Sequence, residues 1–237
     1  MDFLKKTYDR AKQSVEEKLG DATITEFEPE YQALLNRADD MKNHNDKILA
    51  AAQVFVQPDP SIRLVPGLTQ ENQNKAESLG AALGAYSQAV GCWTKTGNVE
   101  KLESALKTGD DTFTRLGKYE REYLAAVNEQ FLIPVKRFLN EDMKALDQER
   151  KLLNTCRLDM DSLKNRAQKA PENATLQGEL DRAEKGFQEQ KAKVEELIKK
   201  MENQLPETLN HLKGLASAYL EYCQKTQQGI EDLLKVL

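Results

Sequence analysis

From Val99 to Ala170 the chain never loses helical rhythm. Apolar side chains recur at Leu102, Leu106, Phe113, Leu116, Tyr123, Val127, Phe131, Val135, Phe138, Ala145, Leu152, Cys156, Met160, Leu163 and Ala167, and every step is three, four or seven residues. Such steps place side chains on one face of a helix. Sustained this long, they describe a coiled-coil seam. A helix of about 70 residues extends roughly 105 Å, whereas a compact domain of this chain's length has a radius of gyration of only about 18 Å. The spacing therefore predicts an all-α, elongated fold.

The rest of the chain supplies partners for that helix. "KAPENAT" at 169–175 reads as a turn, and the same rhythm resumes from Leu176 to Leu237. The two runs are expected to form an antiparallel hairpin closed at Pro171. A third helical run covers 30–57, with Tyr31, Leu34, Ala38, Met41, Ile48, Ala52 and Phe55 on one seam. It is expected to pack at the end of the hairpin away from the turn. "QPDPS" at 57–61 stops it, since closely spaced prolines cannot continue a helix. Residues 61–75 read as an irregular insert. A short helix is predicted over 76–91 with Leu79, Leu83, Tyr86 and Val90 inward. Gly80 and Gly84 permit either a close backbone approach or simply a weak helix. A thin rod buries little apolar surface per residue, so a two-fold dimer is the expected assembly.

Pro134, in "QFLIPVKRFL", sits inside the longest helical run. An interior proline removes a hydrogen bond and clashes with the preceding turn. It precedes Pro171 by 37 residues, and Pro206 follows Pro171 by 35. In a hairpin the two prolines stand level. Sharp helix kinks concentrate at proline, so Pro134 and Pro206 are read as a matched pair of kinks.

Composition narrows the function. The net charge of −5 argues against general nucleic-acid binding. Cys92, Cys156 and Cys223 are odd in number and widely spaced, as expected of free thiols in a reducing compartment. No signal peptide or membrane span is expected. The only histidines, His44 and His211, stand isolated. With no metal-ligand, phosphate-loop or nucleophile motif, the chain is expected to be no enzyme and to need no metal or cofactor. Residues 150–200 hold 12 Lys/Arg against 9 Asp/Glu, making the hairpin's turn end modestly basic. Residues 1–15 carry four basic and two acidic side chains, and Leu4, Tyr8, Ala11 and Val15 share a helical face flanked by Phe3. Such a helix suits an anionic membrane surface and equally a protein partner.

"VFVQPDPSIR" (54–63), "QFLIPVKRFL" (130–139), "ERKLLNTCRLDMDSLKNR" (149–166) and "AYLEYCQ" (218–224) together resemble the N-BAR domain of endophilins, and "EEKLGDA" (16–22) leans toward the endophilin-B branch. The resemblance implies a crescent-shaped antiparallel dimer of kinked three-helix coiled coils that binds and bends anionic membranes. It implies an amphipathic membrane helix within residues 1–25 and a BAR domain over 26–237. The domain's helices fall at about 26–91, 99–170 and 175–237. Implied insertion residues are Phe3, Leu4, Lys5, Lys6, Tyr8, Arg10, Ala11, Lys12 and Val15. A membrane-facing insert at about 59–75 would use Ile62, Arg63, Leu64, Val65 and Leu68. A basic arm tip would use Lys164, Arg166 and Lys169, although it is less lysine-rich than usual for the family. Proline-rich partners are implied only through a Src-homology-3 domain, which these residues do not include. The likeness implies a cytoplasmic protein peripheral on Golgi, mitochondrial outer or autophagic membranes. The competing expectation is a cytosolic coiled-coil scaffold whose N-terminal helix binds a protein.

Overall fold

The structure is a computed structural model that describes residues 10, 13, 24–57, 73–94 and 96–237. Helices account for nearly all of these: α1 Pro29–Val56, α2 Lys75–Gly91, α3 Gly97–Val127, α4 Ile133–Arg137, α5 Met143–Lys169, α6 Ala174–Asn203 and α7 Leu205–Leu234. Two π-helical turns, Asn128–Leu132 and Phe138–Asp142, join α3 to α4 and α4 to α5. The all-α expectation holds. The run expected at 175–237 is two helices, because Gln204 interrupts it.

The chain divides into two compact units. The first takes in the described residues up to Asp46 together with Arg137–Leu205, and the second comprises Lys47–Lys136 and Pro206–Leu237. The division passes beside both prolines.

The first unit is a three-stranded helical packing around one core. Met143, Leu146, Leu153 and Met160 of α5 face Leu180, Phe187, Val194, Ile198 and Met201 of α6. Tyr31, Leu34, Leu35 and Ala38 of α1 close the third side. The Phe27 ring lies 6.1 Å from Phe187 and 5.1 Å from Tyr31. Burial pushes the Tyr31 phenol up to about 12, and its hydroxyl donates to the Lys191 carbonyl at 3.2 Å. Ion pairs fix the register: Arg150 Nη1 to Asp39 Oδ1 at 2.5 Å, Lys42 to Asp147 at 2.6 Å and Arg37 to Glu202 at 2.8 Å. The first half of α1 therefore packs along the α5–α6 hairpin itself. Its partners Asp147, Arg150 and Glu202 lie away from the Pro171 turn, the part of the hairpin where it was expected to pack.

A correction concerns phase. The sequence pattern runs Phe138, Ala145, Leu152, but the structure buries Leu146 and Leu153 and exposes Leu152. The π turn at Phe138–Asp142 explains the shift, since Met143 N–H bonds the Phe138 carbonyl five residues back. A π turn holds one more residue than an α turn, so the seam advances by one position.

The second unit packs α2 against α3 through small residues. Gly80, Gly84, Ser87 and Val90 are the buried positions of α2, while Leu79 and Tyr86 point outward. Of the four side chains expected inward, Val90 is buried and Leu83 half-buried, while Leu79 and Tyr86 are exposed. A Cβ at Gly80 would lie 3.0 Å from the Asp110 carbonyl and 2.8 Å from Thr114 Oγ1. Glycine there is a requirement of close helix approach. A capping box starts α2, with Glu77 N–H donating to Asn74 Oδ1 at 2.9 Å and Asn74 N–H donating to Glu77 Oε2 at 3.0 Å. Arg121 of α3 grips the same carboxylate, Nε to Oε1 at 2.9 Å.

Gly80→Val should cost about 2 kcal/mol by overpacking. Gly186→Ala, at a helical site with nothing within 4 Å of the added methyl, should add about 0.5–1 kcal/mol; urea unfolding of the pair reads both signs. The Arg121 bond is the main reason the Glu77 carboxyl is held below its ordinary value of 4.5. A depressed folded value stabilises above the unfolded pKa and is lost as pH falls through the folded one. Glu77→Gln should therefore cost about 1 kcal/mol at neutral pH, and the gap from wild type should close as pH drops below the ordinary glutamate value.

Candidate functional site

Pro134 has no N–H to offer the carbonyl of Gln130, four residues back. The helix accommodates it between the two π turns, with Ile133 N–H bonding the Asn128 carbonyl. The orphaned Gln130 oxygen lies 3.2 Å from His211 Nδ1 on α7. A carbonyl only accepts, so the ring nitrogen donates. Pro206 is handled differently. α6 ends at Asn203, Gln204 N–H reaches the Met201 carbonyl at 3.0 Å, and α7 starts at Leu205. Pro206 then stands in a first turn, where a missing donor costs nothing.

The arm-tip residues close the α5–α6 hairpin. Ala170 N–H bonds the Ala167 carbonyl, Asn173 N–H bonds the Ala170 carbonyl, and Asn173 caps α6 by accepting from Leu176 N–H at 3.0 Å. Arg166 and Lys169 occupy the last turn of α5, where cations suit the helix dipole. Lys164 lies 3.5 Å from Glu184 of α6. The basic excess of 150–200 is largely engaged: Arg150 with Asp39, Arg157 with Asp161, Lys191 with Glu28, Lys193 with Glu149 and Lys199 with Glu195. Lys151, Lys169 and Lys200 are exposed.

Of the N-terminal set, Arg10 is described. Its Nε and Nη2 donate to the two carboxylate oxygens of Asp159 at 2.6 and 2.7 Å. Phe3, Leu4, Lys5, Lys6, Tyr8, Ala11, Lys12 and Val15 lie outside the described residues, as do Ile62, Arg63, Leu64, Val65 and Leu68 of the insert. Near Arg10, Asp161 is only 1% exposed. It accepts from both the backbone N–H and the hydroxyl of Thr25, and from Arg157 Nη1 at 2.9 Å. Sequence reasoning singled out none of Asp159, Asp161 and Thr25. Partners 136 and 149 residues apart leave no periodic signal.

The other notable surface belongs to the second unit. Ile48, Val54, Phe55, Leu79, Tyr86, Trp93, Leu209, Leu212 and Leu220 are all exposed. Leu79, Tyr86 and Trp93 recur every seven residues, and the Tyr86 and Trp93 rings meet edge-on at 6.4 Å. In the first unit Ile24, Leu152 and Leu205 are the exposed large apolar side chains among the described residues. No helix among the described residues is long and apolar enough to cross a membrane, and none of their His, Cys, Asp and Glu side chains cluster as metal ligands do.

Comparison with known proteins agrees with this architecture. The profile of the BAR domain family matches residues 4–237. Endophilin-B2 of Gallus gallus is 36% identical over 170 residues, covering 69% of this chain and 41% of its own length. Endophilin-B1 of Bos taurus is 31% identical over 234 residues, covering 96% of this chain and 64% of its own length. The chain thus spans between two fifths and two thirds of these relatives. Among solved structures, the N-terminal I-BAR domain of D. discoideum IBARa aligns with 88% of this chain at 15% identity and a TM-score of 0.45.

Proposed function

The chain belongs to the BAR domain family and is endophilin-B-like; from that membership we propose that it is a peripheral membrane protein that senses or generates curvature. It does so as a homodimer on anionic membranes, helped by insertion of its amphipathic N-terminal segment. The observation that carries the dimer is the apolar surface of the second unit. Apolar residues exposed together on one surface mark an interaction site, and Tyr86 and Trp93 are in ring contact there. Each aliphatic side chain buried there contributes roughly 1.5–3 kcal/mol. Leu79 and Tyr86, seven residues apart on α2, suit packing against another helix, and Trp93 just past the helix end meets the Tyr86 ring. A dimer doubles every lipid contact, so individually weak contacts gain from effective concentration. Phe3, Leu4, Tyr8, Ala11 and Val15 supply the apolar insertion, with Lys5, Lys6, Arg10 and Lys12 drawing the segment to anionic headgroups. The insert around Ile62–Leu68 and the tip at Lys164, Arg166 and Lys169 add further contacts, and Pro134 and Pro206 act as helix kinks.

Leu212→Glu should convert the dimer to a monomer in sedimentation equilibrium, and by losing avidity should weaken vesicle binding about tenfold or more. In co-sedimentation with phosphatidylserine vesicles, wild type should pellet and tubulate them, less so as salt rises. Phe3→Glu should abolish tubulation and leave the dimer intact. Wild-type and Δ1–22 proteins that both leave such vesicles unbound and round in electron micrographs would sink the proposal. Binding indifferent to lipid charge and salt would instead favour a protein-binding scaffold.

A further inference from the structure

We propose that α5 carries a docking site for this chain's own N-terminal segment, and that Arg10 trades between that site and the phosphate of an anionic membrane. The trade rests on the membrane reading above, whereas the docking site does not.

Three separate contacts converge on one stretch of α5. Arg10 makes a two-pronged pair with Asp159, at 2.6 and 2.7 Å. Three residues on, Gln13 is only 2% exposed, and its Oε1 accepts from Asn165 Nδ2 at 3.0 Å. Residues three apart on a helix share a face, so Arg10 and Gln13 address α5 together. Thr25 is pinned to Asp161 by two hydrogen bonds, with Arg157 on the same carboxylate. The first two contacts hold the segment, and the third fixes where its connection to α1 begins.

The chemistry of Asp159 makes the docking reversible. A carboxylate offers a guanidinium two oxygens in a fork, as a phosphate does. One guanidinium cannot serve both. The side chains of Arg10 and Asp159 are 31% and 30% exposed, so water and headgroups reach the pair, and its net strength is modest. A segment held on α5 part of the time binds lipid with an apparent affinity reduced by the free fraction. Arg10 and Gln13 lie outside the apolar set Leu4, Tyr8, Ala11 and Val15. The site thus recognises polar side chains of the segment.

The test separates docking from membrane binding. In lipid-free protein, Asp159→Asn should speed amide hydrogen exchange around residues 10–13 by about threefold, the loss expected for a partly exposed ion pair. Asp181→Asn, the same charge change at an exposed position on α6, should not. The charge swap Arg10→Asp with Asp159→Arg should restore protection. Exchange unchanged in Asp159→Asn, or not restored by the swap, overturns the docking site. On phosphatidylserine vesicles Asp159→Asn should bind about threefold tighter than Asp181→Asn, with no difference on phosphatidylcholine alone. Equal or weaker binding overturns the trade. If wild type and Δ1–22 both ignore the vesicles, the membrane reading fails and the exchange result still decides the docking.

Discussion

A tertiary amide inside a long helix is the constraint from which much of this chain's structure follows. Pro134 can neither donate to the Gln130 carbonyl nor tolerate it in ideal α geometry. The backbone answers with π turns on both sides, whose bonds run from Ile133 to Asn128 and from Met143 to Phe138. The facing helix answers with a side chain, His211, at the oxygen left over. Local strain is thus relieved by a partner distant in sequence. The relief also changes which residues are buried downstream, because each wider turn rotates the helix face.

That rotation marks the boundary of what periodicity can tell. Tyr31, Leu34 and Ala38 were legible because α1 there is regular α-helix, and so was the antiparallel hairpin about Pro171. Ala145 and Leu152 were misplaced by one residue because counting in threes and fours assumes an unbroken 3.6-residue turn. Leu79 and Tyr86 were misplaced for another reason. Hydrophobicity predicts burial only where bulk decides the packing, and on α2 closeness decides it. Gly80 meets the Asp110 backbone, so the helices touch along the glycine face and the larger side chains are left for other partners.

The proposed site was less legible than the fold. The resemblance supplied Lys164, Arg166 and Lys169, and the structure adds that Lys164 has Glu184 beside it. No spacing rule links Arg10 to Asp159 or Thr25 to Asp161, because the partners lie 149 and 136 residues apart in the chain. Asp161 illustrates the logic of burial. A carboxylate 1% exposed needs donors, and it takes them from Thr25 and Arg157. It cannot be moved without stranding charge. Asp159, partly exposed, has no such obligation, and the two carboxylates differ in role for that reason.

The same distinction bears on how a chain of net charge −5 could meet an anionic surface at all. Most lysines and arginines of the α5–α6 hairpin already face carboxylates, which would suggest that no positive field remains. But exposed pairs of this kind are worth about 0–1 kcal/mol, comparable to what one basic side chain gains near an anionic leaflet. Lys185 with Glu189 and Lys199 with Glu195, each one helical turn apart and exposed, can surrender their partners at almost no cost. Arg157 and Arg121, whose pairs are less exposed, cannot. A membrane would therefore recruit the loosely paired cations and leave the structural ones in place. On the proposed function, Arg10, two-pronged and about a third exposed, stands between these groups and yields its carboxylate at a modest cost.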